Sequence, residues 1–354
     1  MIDWLKILKQ SPIDWLLDKS NSSVRYFTLR DIIGKPEDNV EVMDVRKTIS
    51  KSVVIQRILR KQNMYGYWEM PNSPYLPKYK SSYWTLMILG ILGMDRTNEN
   101  VAKACEFIFQ FQNDDGGFQS ESVGSSSREY KYRLLKNKRL PSHKEFVSAL
   151  LFESQLSCLT GNIASALVRL GYADDPGVHK SLEWLAKVQN KNGGWLCPHW
   201  KAHAKDKHGC FMGTICSMEA FSEIPSESLT REMTETISKG AEFLLKHHLF
   251  QADHHDYKII NNTFLELSFP WFSGYTILRG LDVLTKLGYV NDPRIDEAIG
   301  IILQKRQRNG VWVLENSPIG RMQTDLKKKG QPSKWITLLA LKILKRLSAL
   351  KTTH

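Results

Sequence analysis

A seven-residue pattern recurs along the chain and constrains its fold more than any other feature. It consists of Gln, any three residues, Gly, any one residue and an aromatic residue, and it reads Gln-Asn-Lys-Asn-Gly-Gly-Trp at Gln189–Trp195. Two more full copies and one copy that is a residue shorter occupy Gln62–Trp68, Gln112–Phe118 and Gln307–Trp312. Repetition at intervals above about 40 residues is typical of an array built from one supersecondary unit.

The pattern predicts the end of a helix. Gly closes helices because it adopts positive φ without strain. The Gln side chain is expected to hydrogen-bond backbone groups freed at the helix end, and the aromatic residue is expected to pack back over the turn. We therefore interpret the four copies as structural turns and not as catalytic groups.

Helical patterns lie on both sides of these turns, and strand signals are nearly absent. In each repeat an amphipathic helix leads through a loop to a more apolar one, such as Ser81–Leu92, which is apolar nearly all round and therefore predicted to be buried. The element count predicts an all-α chain of about six helix pairs. The apolar character of Ser81–Leu92 favours closure into a ring, with apolar helices inside and amphipathic helices outside. Val45–Lys61 and Phe146–Leu170 are each predicted to be helical throughout.

One stretch interrupts the rhythm of the repeats. Gln119–Pro141 is Ser-rich and charged, and Arg128–Lys144 carries seven Lys and Arg residues against one acid. It predicts an exposed, partly mobile basic insertion at about 119–145 within a single domain spanning 1–354. Two interpretations remain open for the charges: a solvated face, or a lid that handles an anion.

Charge and cysteine content narrow the class of protein. The 49 Lys and Arg residues exceed the 37 Asp and Glu residues, which gives a net charge of +12. This charge favours an anionic partner, either a diphosphate-bearing ligand, a nucleic acid or a lipid surface, although no nucleic-acid-binding motif is present.

No apolar run approaches about 18 residues, so we expect no membrane span. Five cysteines, an odd number, and a start unlike a signal peptide predict reduced thiols and a cytoplasmic location.

The Gln-x-x-x-Gly-x-Trp turns within six helix pairs resemble those of the terpenoid cyclase and protein prenyltransferase superfamily, whose fold is an α/α toroid. The resemblance covers nearly the whole chain and is more specific for the fold than for the reaction. It implies an isoprenoid or other long apolar ligand in a central cavity. The Asp-x-Asp-Asp acid of class II cyclases is missing, because Gln112 and Tyr172 stand two residues before the pairs Asp114-Asp115 and Asp174-Asp175. The Asp-Asp-x-x-Asp of metal-dependent synthases is missing too, so whether the chain is an enzyme stays open.

The prenyltransferase side of the resemblance implies zinc, held there by an Asp-x-Cys and by the His of a His-x-Cys stretch. Here His208-Gly209-Cys210 opens an apolar helix at the matching position, whereas the Asp-x-Cys is not found. Sulfur and nitrogen ligands suit Zn²⁺. The predicted metal ligands are Cys197, His199, His208 and Cys210, with His203 as an alternative to His199. In the other interpretation, the cysteines are small buried residues and the histidines belong to a polar loop.

The resemblance also directs attention to aromatic and basic residues near the starts of the inner helices. Aromatic walls stabilise carbocations, and helix N-termini gathered at one mouth favour anions. The predicted ligand-binding residues are Tyr83, Trp84, Trp271, Tyr275, Arg279, Arg321, Lys334 and Trp335, with Lys78-Tyr79 at the same mouth. Arg279 needs either a carboxylate, Asp282 or Glu266, or an anionic ligand.

Two functional hypotheses follow. The first is a prenyltransferase-like or cyclase-like protein that acts on or binds an isoprenoid, with a diphosphate at the basic mouth and zinc as the metal if the Cys/His loop binds one. The alternative is a non-catalytic toroid that serves as a binding or scaffold protein for a protein partner.

Overall fold

A computed structural model describes residues 11–136, 138–199 and 206–349. Within those ranges the chain forms helices joined by turns, with β-bridges that are isolated and do not extend into strands. The all-α prediction is confirmed. The α-helices, in chain order, are α1 (Ile13–Leu16), α2 (Ser22–Phe27), α3 (Val40–Ile49), α4 (Val53–Leu59), α5 (Ser82–Ile91), α6 (Glu99–Phe109), α7 (Val123–Leu135), α8 (His143–Glu153), α9 (Ser157–Arg169), α10 (Pro176–Lys187), α11 (Phe211–Ser222), α12 (Arg231–Lys246), α13 (Ile277–Lys286), α14 (Asp296–Gln304) and α15 (Lys334–Ala349).

Shorter helical elements connect some of these helices. A π-helix, Thr28–Ile33, continues α2. Short 3-10 helices occupy Ser226–Ser228, Asn262–Leu265 and Pro293–Ile295.

The chain divides into two compact units. The first contains the described parts of Met1–Arg57, Ala241–Gly320 and Thr324–His354, and the second contains Ile58–Gly240 with Arg321–Gln323. In the second unit the buried helix α9 packs against both α5 and α11, while the amphipathic helices α6 and α10 contact α5 and α9 respectively. In the first unit α15 packs against α13 and α2, and α14 contacts α13. The predicted packing of apolar helices against amphipathic ones is therefore seen in the second unit.

The repeated turns hold these helices together through a fixed set of hydrogen bonds. Gln112 Nε2 donates to the carbonyl of Gly116 in its own turn, at 3.0 Å, and to that of Gly177 in α10, at 2.7 Å. Trp195 Nε1 donates back to the carbonyl of Leu185, and its backbone N–H donates to Oγ1 of Thr214 in α11. A turn of this kind thus connects the preceding amphipathic helix, the following apolar helix and the next repeat.

The Gly of each turn has the positive φ that the pattern predicted: 91° at Gly66, 103° at Gly116, 88° at Gly193 and 81° at Gly310. The aromatic residues pack back as expected, since Trp68, Phe118, Trp195 and Trp312 are all fully buried. The interpretation of the four copies as structural turns is consistent with every one of these contacts.

The basic insertion, predicted to be exposed and partly mobile, contains two helices. Helix α7 begins with a capping box between Ser122 and Ser125 and packs against α8, which begins with a second box between Ser142 and Glu145. These reciprocal hydrogen bonds stabilise helix starts that a Ser-rich sequence presents as loop.

Two stretches that were each predicted to be one continuous helix are divided into two helices, so these predictions are wrong. Val45–Lys61 is divided because α3 ends at Ile49 and α4 starts at Val53. Phe146–Leu170 is divided because Leu156 has an extended backbone (φ −123°, ψ 129°) between α8 and α9. The neighbouring Gln155 is fully buried and donates through Nε2 to Asp115, which fixes this break.

Among the described residues, none of the helices combines the length and apolar character that a membrane crossing requires. The prediction of one domain, and that of a cytoplasmic location, stay predictions. Residues 1–20 are predicted to form one helix, or two short helices divided at Pro12, and the part before residue 11 lies outside the described residues.

Candidate functional site

Three aromatic rings meet at the start of α5 in the second unit. The Trp84 ring centroid lies 5.2 Å from that of Tyr75 and 5.4 Å from that of Tyr79. Trp84 Nε1 donates to the carbonyl of Tyr75 at 2.7 Å, which fixes the indole against the preceding loop. Trp84 is buried, whereas Tyr75 and Tyr79 are half-buried. This arrangement presents aromatic surface beside two phenolic hydroxyls.

Two cations lie on these rings. Lys78 Nζ is 5.5 Å from the Tyr79 centroid and 5.7 Å from that of Trp84, and the Arg321 guanidinium is 4.6 Å from the Tyr79 centroid. Both basic residues are exposed. Tyr79 has φ 72°, a left-handed conformation that costs energy for a non-Gly residue and is common at binding sites. The prediction that Lys78-Tyr79, Trp84 and Arg321 belong to one site is consistent with this geometry.

Two thiols lie next to the same rings. The neighbouring Cys158, the second residue of α9, lowers the pKa of Cys197, and Cys197 in turn raises the pKa of Cys158 well above its usual value. Ser157, the first residue of α9, also lowers the pKa of Cys197. Burial raises the pKa of Tyr75 to about 12, and both sulfurs contribute to this rise. We call Tyr75, Tyr79, Trp84, Cys158 and Cys197 the aromatic–thiol cluster.

The predicted zinc ligands do not converge within the second unit. Cys210 Sγ accepts the N–H of Gly213 at 3.1 Å and so caps α11, while the ring centroid of His199 is 4.6 Å from that of Phe152. Among the described residues of this unit, no three Cys, His, Asp or Glu ligand atoms lie within 4.8 Å of one another. Atoms that surround Zn²⁺ at about 2.0–2.3 Å would be closer than that. Zinc therefore stays a prediction, and His203 lies outside the described residues.

A second aromatic cluster lies in the first unit at the start of α15. Phe269 stacks on Trp335 with centroids 4.9 Å apart and an interplanar angle of 15°, and Trp271 meets Phe269 edge-on at 5.8 Å. Trp271 Nε1 is buried without a hydrogen-bond partner among the described residues. Lys334 pairs with Asp18 at 3.2 Å.

Arg279 is held by backbone oxygens beside this second cluster. Its Nη1 donates to the carbonyls of Phe272 and Gly274, both at 2.8 Å, and its guanidinium lies 5.7 Å from the Trp271 centroid. Asp282, one of the two carboxylates expected to pair with Arg279, bonds Arg346 at 2.7 Å instead.

Tyr83 and Tyr275 make buried contacts that serve the fold. The Tyr83 hydroxyl donates to the carbonyl of Gln119 at 2.9 Å, and the Tyr275 hydroxyl donates to that of Leu249 at 2.6 Å. Both rings are almost fully enclosed. A ligand role for these two residues stays a prediction.

Both Asp-Asp pairs have structural partners. Asp115 Oδ1 accepts Gln155 Nε2 at 2.6 Å and the N–H of Gly117 at 3.2 Å within the second turn. Asp175 caps α10 by accepting the N–H of Gly177 at 2.8 Å. These carboxylates stabilise the turn and the helix start.

Sequence reasoning missed Tyr75 and Cys158 as members of the cluster. Tyr75 stands in a Pro-rich loop, a position that suggested only a connection. Cys158 follows Ser157 in a stretch predicted as mid-helix, so no sequence signal places it at a helix start.

Comparison with family models gave no match. Among curated proteins, the squalene-tetrahymanol cyclase of Tetrahymena thermophila is 25% identical over 132 residues. The sequence resemblance to the terpenoid cyclases is confirmed. The match covers 37% of this chain and 19% of the cyclase, so the chain matches about a fifth of that relative's length.

Solved structures with similar backbones cover most of the chain. A protein from Actinoplanes aligns with a TM-score of 0.47 and 12% identity over 98% of this chain and 100% of its own. The type II terpene cyclase MstE from Scytonema aligns with a TM-score of 0.44 and 13% identity over 94% of this chain and 87% of its own. A variant of MstE in complex with geranylgeranyl dihydroxybenzoate as substrate also has a TM-score of 0.44, with 14% identity over 95% of this chain and 98% of its own.

Proposed function

We propose that the chain binds an isoprenoid-class ligand, an apolar chain with an anionic head, at the aromatic–thiol cluster of the second unit. The observation that carries this proposal is the placement of Lys78 and Arg321 on the rings of Tyr79 and Trp84. Exposed cations are suited to an anionic head such as a diphosphate, and the half-buried rings of Tyr75 and Tyr79 offer apolar surface for the chain that follows it.

The electrostatics at the start of α9 support the placement of an anionic ligand head beside this cluster. The cluster adjoins the first turn of α9, where Ser157 and Cys158 lower the pKa of Cys197. Helix N-termini favour anions because of their free N–H groups and the helix dipole. An isoprenoid diphosphate would therefore lie with its phosphates towards Lys78 and Arg321 and its chain along the rings of Tyr75 and Tyr79.

The sequence relative supports the ligand class. Squalene-tetrahymanol cyclase is named for an isoprenoid substrate, and its match to this chain is consistent with the aromatic site. We propose binding and not proton-initiated cyclisation, because Asp115 and Asp175 are engaged in structural hydrogen bonds. A non-catalytic scaffold for a protein partner is the second candidate, and the same engagement of the carboxylates favours it.

The zinc site at Cys197, His199, His208 and Cys210 remains a separate proposal, in which the metal would polarise a bound thiol or anion. Binding would require the side chains of the four residues to move so that their ligand atoms converge. Its test is the metal content of protein purified without an affinity tag, compared with that of Cys210→Ser. Stoichiometric zinc that is lost in Cys210→Ser supports the site, and metal-free, folded wild-type protein rejects it.

The ligand proposal is tested by calorimetric titration of the purified chain with farnesyl diphosphate. Arg321→Gln should weaken binding by about tenfold, the equivalent of about 1.4 kcal/mol, because it removes one cation from the head site. Arg231→Gln is the matched control, since that side chain is 93% exposed and pairs within its own helix with Glu235. Absence of binding by the wild-type protein, or equal losses in the two variants, would reject the site.

A further inference from the structure

The basic insertion presents a helix face that the proposed ligand site does not use. Along α7 and its last turn, five residues follow the spacing i, i+3, i+4, i+7, i+8, which places them on one side of the helix: Arg128, Lys131, Tyr132, Leu135 and Lys136. All five are exposed, and Leu135 is 84% exposed. We call these five residues the basic stripe. Apolar residues at this spacing normally face a core, whereas here they face outwards between cations.

The insertion is folded so that the basic stripe points away from its own packing. On the opposite side of α7, the Tyr130 ring centroid lies 5.2 Å from that of the buried Phe146 in α8, and the Tyr130 hydroxyl donates to the carbonyl of Pro141 at 3.2 Å. At the base of the insertion, the N–H and the hydroxyl of Ser120 both donate to the carbonyl of Ser154 at 3.0 Å. The exposure of the stripe is therefore a consequence of how α7 packs against α8.

The positive charge of the basic stripe is not neutralised by this packing. Glu129, the one acid in 128–144, pairs within α7 with Arg133 at 2.7 Å. Among the described residues, the three cations of the stripe have no ion-pair partner. Lys136 Nζ instead lies 5.0 Å from the centroid of the exposed Tyr132 ring. The stripe thus combines free positive charge with apolar surface in water.

We propose that the basic stripe docks on the surface of a lipid bilayer that contains anionic phospholipids. Lys and Arg side chains are attracted to the negative headgroups of such a bilayer. Leu135 gains free energy only by leaving water, and an amphipathic helix that lies in the interface buries its apolar side chains at the boundary with the acyl chains. Tyr is suited to the same depth because its ring is apolar and its hydroxyl is polar.

The apolar members of the basic stripe favour a bilayer over a nucleic acid. A nucleic acid would attract the three cations through its phosphates, but it would leave Leu135, 84% exposed, in water. Docking on a bilayer requires no isoprenoid and involves no residue of the aromatic–thiol cluster. The proposal is therefore independent of the proposed function.

The test is co-sedimentation of the full chain with vesicles of phosphatidylcholine and phosphatidylglycerol in equal amounts, compared with vesicles of phosphatidylcholine alone. Wild-type protein should sediment with the mixed vesicles and stay in solution with the neutral ones. Binding to the mixed vesicles should weaken as sodium chloride is added, because salt screens the attraction between the cations and the headgroups. This comparison uses wild-type protein and does not depend on the folding of any variant.

A first pair of variants tests the charges. Lys131→Gln/Lys136→Gln should lower the affinity for mixed vesicles by about tenfold or more, since each cation close to an anionic surface contributes about fivefold. Lys187→Gln/Lys191→Gln is the matched control. It removes the same net charge from exposed positions of the same unit, on α10 and its turn, where no large apolar side chain is exposed among the described residues. The control should stay close to wild-type affinity.

A second pair of variants tests the apolar contact. Leu135→Gln should lower the affinity for mixed vesicles by about fivefold or more, because it removes apolar area that leaves water on docking. Met64→Gln is the matched control, since Met64 is 76% exposed and lies in the first of the repeated turns. Met64→Gln should bind as wild-type protein does.

Three results would overturn the proposal. In the first, wild-type protein fails to sediment with mixed vesicles or sediments equally with neutral ones. In the second, a stripe variant and its control lose the same affinity. In the third, Lys131→Gln/Lys136→Gln keeps its affinity for vesicles but loses affinity for a double-stranded DNA oligonucleotide, which would assign the basic stripe to a nucleic acid.

Discussion

Replacement of Gly116 by Ala tests how the repeated turns join one repeat to the next. Gly116 has φ 103°, and a Cβ added there would lie 2.1 Å from the carbonyl oxygen of Lys180 in α10. The left-handed backbone alone costs an L-residue about 1–2 kcal/mol. Displacement of a packed helix adds about 1–3 kcal/mol, so we expect Gly116→Ala to lower the free energy of unfolding by about 2–5 kcal/mol.

Gly171→Ala is the matched control in the same unit. Gly171 has φ 93°, but the nearest atom to an added Cβ is Cγ of Arg96 at 3.5 Å, an ordinary contact. Only the backbone cost of about 1–2 kcal/mol applies there. The free energy of unfolding of both variants is measured by urea unfolding followed by tryptophan fluorescence. The two values can be compared if the slope of that free energy against urea concentration is unchanged. Equal losses of unfolding free energy in Gly116→Ala and Gly171→Ala would refute the argument that position 116 requires Gly because the turn lies so close to α10.

Two further predictions concern stability. Gln189→Met removes the donor to two carbonyls, at 2.8 and 2.9 Å, and should cost about 1–3 kcal/mol in urea unfolding, whereas Lys191→Ala in the same turn should cost almost nothing. Burial raises the pKa of Asp31, but Lys342 and Arg30 outweigh it and lower the pKa to about 2. Because the folded-state pKa is below the ordinary value of 3.8, the stability from Asp31 is present above about pH 4 and is lost towards about pH 2. Between about pH 4 and about pH 2, the free energy of unfolding of wild-type protein should therefore fall by about 2 kcal/mol more than that of Asp31→Asn. Parallel pH profiles of the two proteins would contradict the stabilising role assigned to the Asp31 carboxylate.

The turns were predictable because their chemistry is contained within seven residues. A Gly that needs positive φ, a Gln that reaches free carbonyls and an aromatic residue that packs backwards each leave a local signal. Gln112 and Trp195 make the hydrogen bonds that this signal implies. The residues of the neighbouring helices to which they bond could not be deduced from the local sequence, since these partners depend on how α10 and α11 pack.

The aromatic–thiol cluster was only partly predictable. Trp84 and Arg321 were expected, since aromatic and basic residues near the starts of apolar helices suggest a ligand site. Cys158 was not, because the break between α8 and α9 has no Gly or Pro to mark it and is instead fixed by Gln155 and Asp115. Cys197 and His199 are only two residues apart in sequence, but Cys197 lies near Cys158 and His199 packs against Phe152. Spacing along the chain cannot distinguish these environments.

The measurement that tests the central claim most directly is the ratio of dissociation constants for farnesol and farnesyl diphosphate, determined by calorimetric titration. The account predicts that wild-type protein prefers the diphosphate by at least about tenfold and that Lys78→Gln/Arg321→Gln loses most of this preference. The double variant should keep its affinity for farnesol because the rings of Tyr75 and Tyr79 are unchanged. Arg231→Gln should behave like wild-type protein. A diphosphate preference that survives in Lys78→Gln/Arg321→Gln, or wild-type protein that binds neither compound, would contradict the assignment of an isoprenoid head site to the aromatic–thiol cluster.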